Sequence, residues 1–200
     1  MAIKPFMSLI AMTTSLVISQ ASLAQLNSTV IGGGSLAREC FQKSQSATLT
    51  GSGSRIDIEV CDQAIFKGSL NKRELASTYA NRGIIYASMQ DYKAAYKDYN
   101  KAIELEEDLP EAYINRGNLW LTLQEFQRAV DDYDRAIEIG SPSQPVAKLN
   151  RGLAYEYLGN LESAEADYQA ALELKEDWNA AQDKLKRVQR KLRAKAQDQP

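Results

Sequence analysis

Histidine does not occur anywhere in the 200-residue chain. Its absence removes the commonest general base and both the Ser–His and Cys–His nucleophile pairs. It also leaves the two cysteines, Cys40 and Cys61, without the other ligands that a two-cysteine metal site needs. A phosphate-cradling loop is missing too, because Gly32-Gly33-Gly34 has neither a following lysine nor a preceding strand. Carboxylates are plentiful, but Glu106-Glu107-Asp108 and Asp131-Asp132 fall at helix ends and on outer faces, where solvated charge is the rule. Neither sign of charge is in excess, with 24 Lys and Arg against 26 Asp and Glu, so nothing points to nucleic acid. No catalytic residue, metal site or cofactor is expected.

Apolar runs are scarce as well. Phe6 to Ile18 is one, preceded by Lys4 and followed by Ser22 and Ala24, small residues at the spacing of a cleavage site. Residues 1–24 therefore read as a secretory signal peptide cut after Ala24. The alternative is a membrane anchor, but the run falls short of the roughly 20 residues a span needs. The mature chain is then expected to have no transmembrane span. No cysteine follows the cleavage region directly, which argues against a lipid anchor. Export to the periplasm, or to the surface or medium, changes how Cys40 and Cys61 are read. In an oxidising compartment an even pair forms a disulfide, whereas a reducing one leaves two buried thiols. A loop of that size would stabilise the fold by roughly 3 kcal/mol through the unfolded chain.

What the chain does have is internal repetition. YANRGIIYASMQDYKAAYKDYNKAIEL from Tyr79, YINRGNLWLTLQEFQRAVDDYDRAIEI from Tyr113 and KLNRGLAYEYLGNLESAEADYQAALEL from Lys148 can be laid over one another, at offsets of 34 and then 35 residues. A small residue recurs at Gly83, Gly117 and Gly152, with an aromatic three residues on at Tyr86, Trp120 and Tyr155. Then come Ala95, Tyr99, Ala102, with Ala129, Tyr133, Ala136 and Ala164, Tyr168, Ala171 in register. A period near 34 with these spacings is the signature of a helix-turn-helix solenoid.

The pattern resembles the tetratricopeptide repeat family from Ala76 to Trp178. The departures are an arginine (Arg82, Arg116, Arg151) where the family carries leucine, and Lys148 in place of an aromatic. The inter-repeat proline is kept as Pro110 and Pro145. The resemblance implies an all-α fold, a right-handed superhelical solenoid of antiparallel helix pairs. Its regular units would span 76–109, 110–144 and 145–178. It also implies binding along a concave face rather than chemistry.

The flanks extend this frame. Residues 25–34 are polar and glycine-rich and read as a flexible linker. Ser35 to Gln45 and Ile56 to Lys67 read as two helices separated by the Ser/Thr/Gly stretch SQSATLTGSGS. In the second, Cys61 falls where Tyr99 sits and Ala64 where Ala102 sits, so 35–70 is expected to be a divergent N-terminal helix pair stapled by Cys40 and Cys61. At the other end, Ala181, Leu185, Val188 and Leu192 recur at helical spacing. Residues 179–196 are thus expected to form a capping helix, with Lys184, Lys186, Arg187, Arg190, Lys191, Arg193 and Lys195 on its other faces.

Two ladders recur with the period. Arg82, Arg116 and Arg151 each precede Asp98, Asp132 and Asp167 by sixteen residues, which points to structural ion pairs within or between repeats. Asn81, Asn115 and Asn150 lie two residues before each glycine, and the family resemblance projects them into the groove. There they would bond to the backbone of an extended peptide. Ile84, Ile114, Leu149 and Leu153 are expected to line the same groove, with Asn118 and Tyr157. The alternative has the asparagines bonding to neighbouring repeats. Some relatives grip a partner's C-terminal carboxylate with a clamp of Lys and Asn. Asn118, Asn150 and Lys184 match its polar positions, whereas Ile114 and Ala180 stand where two of its lysines should.

The expected function is a protein–protein interaction scaffold of the cell envelope that holds a partner protein or peptide in its groove. One alternative is an envelope tether, contacting anionic lipid or polymer through the basic last helix. The other is a secreted enzyme of the disulfide-rich helical-repeat kind.

Overall fold

The computed structural model describes residues 34–140 and 142–197. The segment expected to be a signal peptide, 1–24, and the expected linker 25–34 apart from Gly34, lie outside the described residues. Within them the chain is all helical: α1 (Ser35–Thr50), α2 (Arg55–Lys67), α3 (Lys72–Ser88), α4 (Tyr92–Leu105), α5 (Pro110–Thr122), α6 (Phe126–Ile139), α7 (Gln144–Tyr157), α8 (Leu161–Leu174) and α9 (Asn179–Gln197). None of these helices is long and apolar enough to cross a membrane.

The helix starts are written locally. Ser54 and Asp57 form a capping box at α2, and Asn71 and Glu74 form another at α3. Asp91 caps α4 by accepting the Ala94 N–H. Pro110 opens α5 and Pro145 stands in the first turn of α7, where the ring's missing N–H costs nothing.

The helices pack as the repeat demands, α3 against α4, α5 against α6, α7 against α8, with α4 leading onto α5 and α6 onto α7. Tyr99, Tyr133 and Tyr168 are fully buried knobs at the centre of the three pairs. Each ring lies across a glycine of the partner helix. A Cβ added at Gly83, Gly117 or Gly152 would stand 2.6, 2.7 or 2.8 Å from the ring. That is why the small position recurs.

At the N-terminal end α1 packs on both α2 and α3, and α9 covers α8 at the other end. One boundary differs from the sequence reading. α1 continues through most of SQSATLTGSGS to Thr50, leaving only a short connection closed by Gly51 in the left-handed conformation. Local composition favours a loop there, but tertiary contact prevails. Ser44 and Ala47 are buried, and Thr48 and Thr50 satisfy their hydroxyls on the Ser44 and Ser46 carbonyls four residues back. Cys40 and Cys61 are both fully buried, with Cα atoms 4.8 Å apart, inside the span a disulfide requires.

Candidate functional site

The expected arginine pairs form within each repeat. The Nε and Nη2 groups of Arg82 donate to the two carboxylate oxygens of Asp98, both at 2.8 Å. Arg116 grips Asp132 at 2.9 and 2.6 Å, and Arg151 grips Asp167 at 2.8 and 2.6 Å. The third nitrogen of each guanidinium reaches back to the preceding pair, where it donates to Asp62, Asn100 and Asp134 respectively. Sequence reasoning missed these acceptors, although each directly follows the buried Cys61, Tyr99 or Tyr133. One arginine thus joins its own helix pair and welds that pair to the one before it. The guanidiniums also lie near aromatic rings, Arg82 5.2 Å from the centre of Tyr79 and Arg116 5.6 Å from that of Tyr113. Their role is structural.

The asparagine ladder is not where the resemblance put it. Asn81, Asn115 and Asn150 are 1%, 4% and 5% exposed, buried between helices rather than presented to a ligand. Asn81 accepts from the Ser44 hydroxyl of α1, and Asn150 donates to Asn118 across α5 and α7. The first helices of successive pairs approach closely enough to absorb these amides. Ile114 and Leu149 are also fully buried, as core rather than groove lining. Of the expected lining, Ile84, Asn118 and Leu153 are half-buried, and Tyr157 is 45% exposed, stacked on Phe126 with ring centres 4.7 Å apart.

Asn118 is the polar centre of what remains. Its Oδ1 accepts from Asn150 at 2.8 Å and from the Tyr133 hydroxyl at 2.7 Å. That fixes the amide and aims its Nδ2, which is buried and has no acceptor among the described residues. A buried N–H without a partner is costly, and a bound carbonyl or carboxylate would relieve it.

The C-terminal end is closed by charge. Glu156, with a side chain 5% exposed, is held by Arg187 at 3.0 and 2.7 Å, by Lys191 at 2.8 Å and by the Tyr168 hydroxyl at 3.0 Å. Burial alone would raise its carboxyl pKa, but these partners bring it down to about 2. Sequence reading passed over Glu156. Its signal is that repeats one and two carry Ala87 and Leu121 at the same position. Close by, Lys184 is half-buried, its pKa lowered by that burial.

The profile of the tetratricopeptide repeat family matches residues 76–109, 110–140 and 145–177. Residues 76–177 are three tetratricopeptide repeats. Solved structures share the arrangement. The first TPR domain of Spaghetti (RPAP3), bound to the HSP90 peptide SRMEEVD, superposes with a TM-score of 0.58 at 27% identity, covering 60% of this chain and 94% of that one. The Arabidopsis OM64 TPR domain gives 0.57 at 28% identity over 60% of this chain and 98% of that one. The first TPR domain of human RPAP3 gives 0.58 at 27%, with 62% and 96% covered. No curated protein sequence matches the chain. The TPR segment leaves α1, α2 and α9 as additions at its two ends.

Proposed function

We propose that the protein is an interaction scaffold of the cell envelope, and that its TPR face formed by α3, α5 and α7 holds an extended segment of a partner protein. The observation that carries this reading is the buried, unpartnered amide nitrogen of Asn118, held in place by Asn150 and Tyr133. Ile84 and Leu153, at the Asn118 position of the neighbouring repeats, and Tyr157, one turn beyond Leu153, offer apolar surface, so a ligand's backbone carbonyl or carboxylate would be fixed at one point and its side chains buried at others. The peptide-bound TPR relative supports the mode of binding. A full carboxylate clamp is not part of the proposal, because the apolar Ile114 and Ala180 occupy two of its cationic positions. Export, and with it a Cys40–Cys61 disulfide, belongs to the same proposal and rests on the N-terminal sequence and the apposition of the two cysteines.

The envelope tether has less support. Arg187 and Lys191 are engaged by Glu156, and Lys195 lies 3.5 Å from Glu162, so three of the seven basic residues of the stripe are paired within the chain.

A photo-reactive residue placed at Leu153 tests the groove in the intact producing cell. It is expected to capture a discrete partner, whereas the same residue at the exposed Glu173 on α8 should not. Adding Asn118→Ala should weaken capture several-fold, the effect of one hydrogen bond worth about 0.5 to 1.5 kcal/mol. Equal labelling from both sites, or capture indifferent to Asn118→Ala, would remove the groove as the binding site. Release from the envelope by Lys186→Gln with Arg190→Gln, with capture at Leu153 absent, would put the tether in its place.

A further inference from the structure

A second cleft of about 930 Å³ lies away from this groove, on the side of the molecule formed by α2 and α4. Its floor is α3, through Tyr79 and Arg82. Its walls bring together Phe66 of α2 with Tyr96, Lys93, Lys97 and Lys101 of α4. Two independent departures from the repeat meet there. Phe66 stands five residues after Cys61, where the three regular repeats carry the solvated glutamates Glu104, Glu138 and Glu173, yet it is 78% exposed. The lysine stripe is equally particular to its helix. The positions of Lys93, Lys97 and Lys101 hold Gln127, Asp131 and Arg135 in α6, and Glu162, Ala166 and Ala170 in α8. A large ring left in water and a row of like charges are each unfavourable for the isolated chain.

The charges inside the cleft are mostly spent. Arg82 is committed to Asp62 and Asp98, Lys101 to Glu104 at 2.9 Å, and Asp91 to the first turn of α4. Lys93 and Lys97 stand one helical turn apart and form no ion pair among the described residues, although Lys97 lies near enough to the already paired Asp98 to lower its pKa. Side chains four apart on a helix are roughly 6 Å apart. Alternate residues of an extended strand, at about 3.3 Å per residue, have nearly the same spacing and share one face. The residue between them leaves from the opposite face of the strand.

We propose that this cleft is a second docking surface, for an extended segment of a partner protein that carries an aromatic residue between two carboxylates. The carboxylates meet Lys93 and Lys97, and the ring enters among Phe66, Tyr79 and Tyr96.

The probe is the capped pentapeptide Ser-Glu-Phe-Glu-Ser, titrated into the isotope-labelled protein and followed by amide chemical shifts. Shifts are expected in the C-terminal half of α2 and along α4. Replacing the peptide's Phe by Ala, or both Glu by Gln, should weaken binding by about fivefold or more, the scale of one lost ring contact or ion pair. Phe66→Glu, which restores the residue type of the other repeats, should do the same, as should Lys93→Gln with Lys97→Gln. All three side chains are exposed, so the variants fold. Leu153→Ala, in the groove, should leave this titration unchanged, which separates failure of one surface from failure of the other. The proposal is overturned if the Phe-free peptide binds equally well, as simple attraction between opposite charges would require, or if the shifts fall elsewhere. It is overturned too if the wild type sediments as a dimer that Phe66→Glu converts to a monomer, because a second copy would then be the occupant.

Discussion

At the residue scale, the array is organised by pairs in which one partner must be small or planar. The tyrosine knob needs the glycine opposite, and this is most testable at Gly117. A leucine there would drive its Cβ to 2.7 Å from the Tyr133 ring, whereas nothing lies within 4 Å of a Cβ at Gly34. Overpacking of this kind costs about 1 to 3 kcal/mol. Gly117→Leu is expected to lower Tm by several degrees, and Gly34→Leu to leave it nearly unchanged. Equal thermal melts would dissolve the glycine–tyrosine pairing. The sixteen-residue Arg–Asp offset was legible because both partners belong to one repeat and recur with it. The third contact of each arginine was not, because Asp62, Asn100 and Asp134 reach it only when one helix pair is stacked on the next.

At the scale of elements, α1 and α9 show tertiary contact extending what local sequence began. α1 gains its last turn from burial of Ala47 and from the Ser44–Asn81 bond, not from helix propensity. The mean character of α9 is polar, and beneath Ala181 and Val188 it is pinned by Glu156. This latch has a defined pH dependence. The Glu156 carboxyl is depressed from 4.5 to about 2 in the folded protein, so its contribution is fully present above the unfolded value. It is lost as the pH falls from 4.5 towards 2, since the unfolded chain then takes up the proton first. Glu156→Gln is therefore expected to lower Tm at neutral pH, and the gap to the wild type should close as the pH is brought down through that window. A gap that stays constant with pH would mean that the charge on Glu156 does not hold α9.

For the whole molecule, stability in a stacked array is a sum over neighbours, so damage at an end stays near that end. The α1–α2 pair has Cys61 where the regular pairs have a tyrosine knob, and correspondingly less ring surface to bury. The proposed disulfide compensates by restricting the unfolded chain, worth roughly 3 kcal/mol for a loop of this length. Protein isolated without reductant from the producing cell is expected, under the proposed export, to take up alkylating reagent only after reduction. Cys61→Ala should melt earlier at the α1–α2 end, as read by hydrogen exchange, while α3 to α8 keep their protection. Free thiols in the freshly isolated protein would rule out both the staple and the oxidising compartment proposed for it.

The helix pairs, their period, the recurring glycine and tyrosine positions and the arginine–aspartate rungs were determined by the sequence alone. Each is a short-range or strictly repeating pattern, which a single chain displays without reference to its neighbours. The fate of the asparagines was decided only by the tertiary structure. Position in a repeat says which face a side chain leaves from, but not how near the next helix comes, and it is the closeness of α1 to α3 and α5 to α7 that buries Asn81 and Asn150. For the same reason Asn118, one member of a broad list, became the polar centre of the face. Glu156 became a latch once α9 folded over it. The cleft beside Phe66 exists only because helices distant in sequence are set side by side.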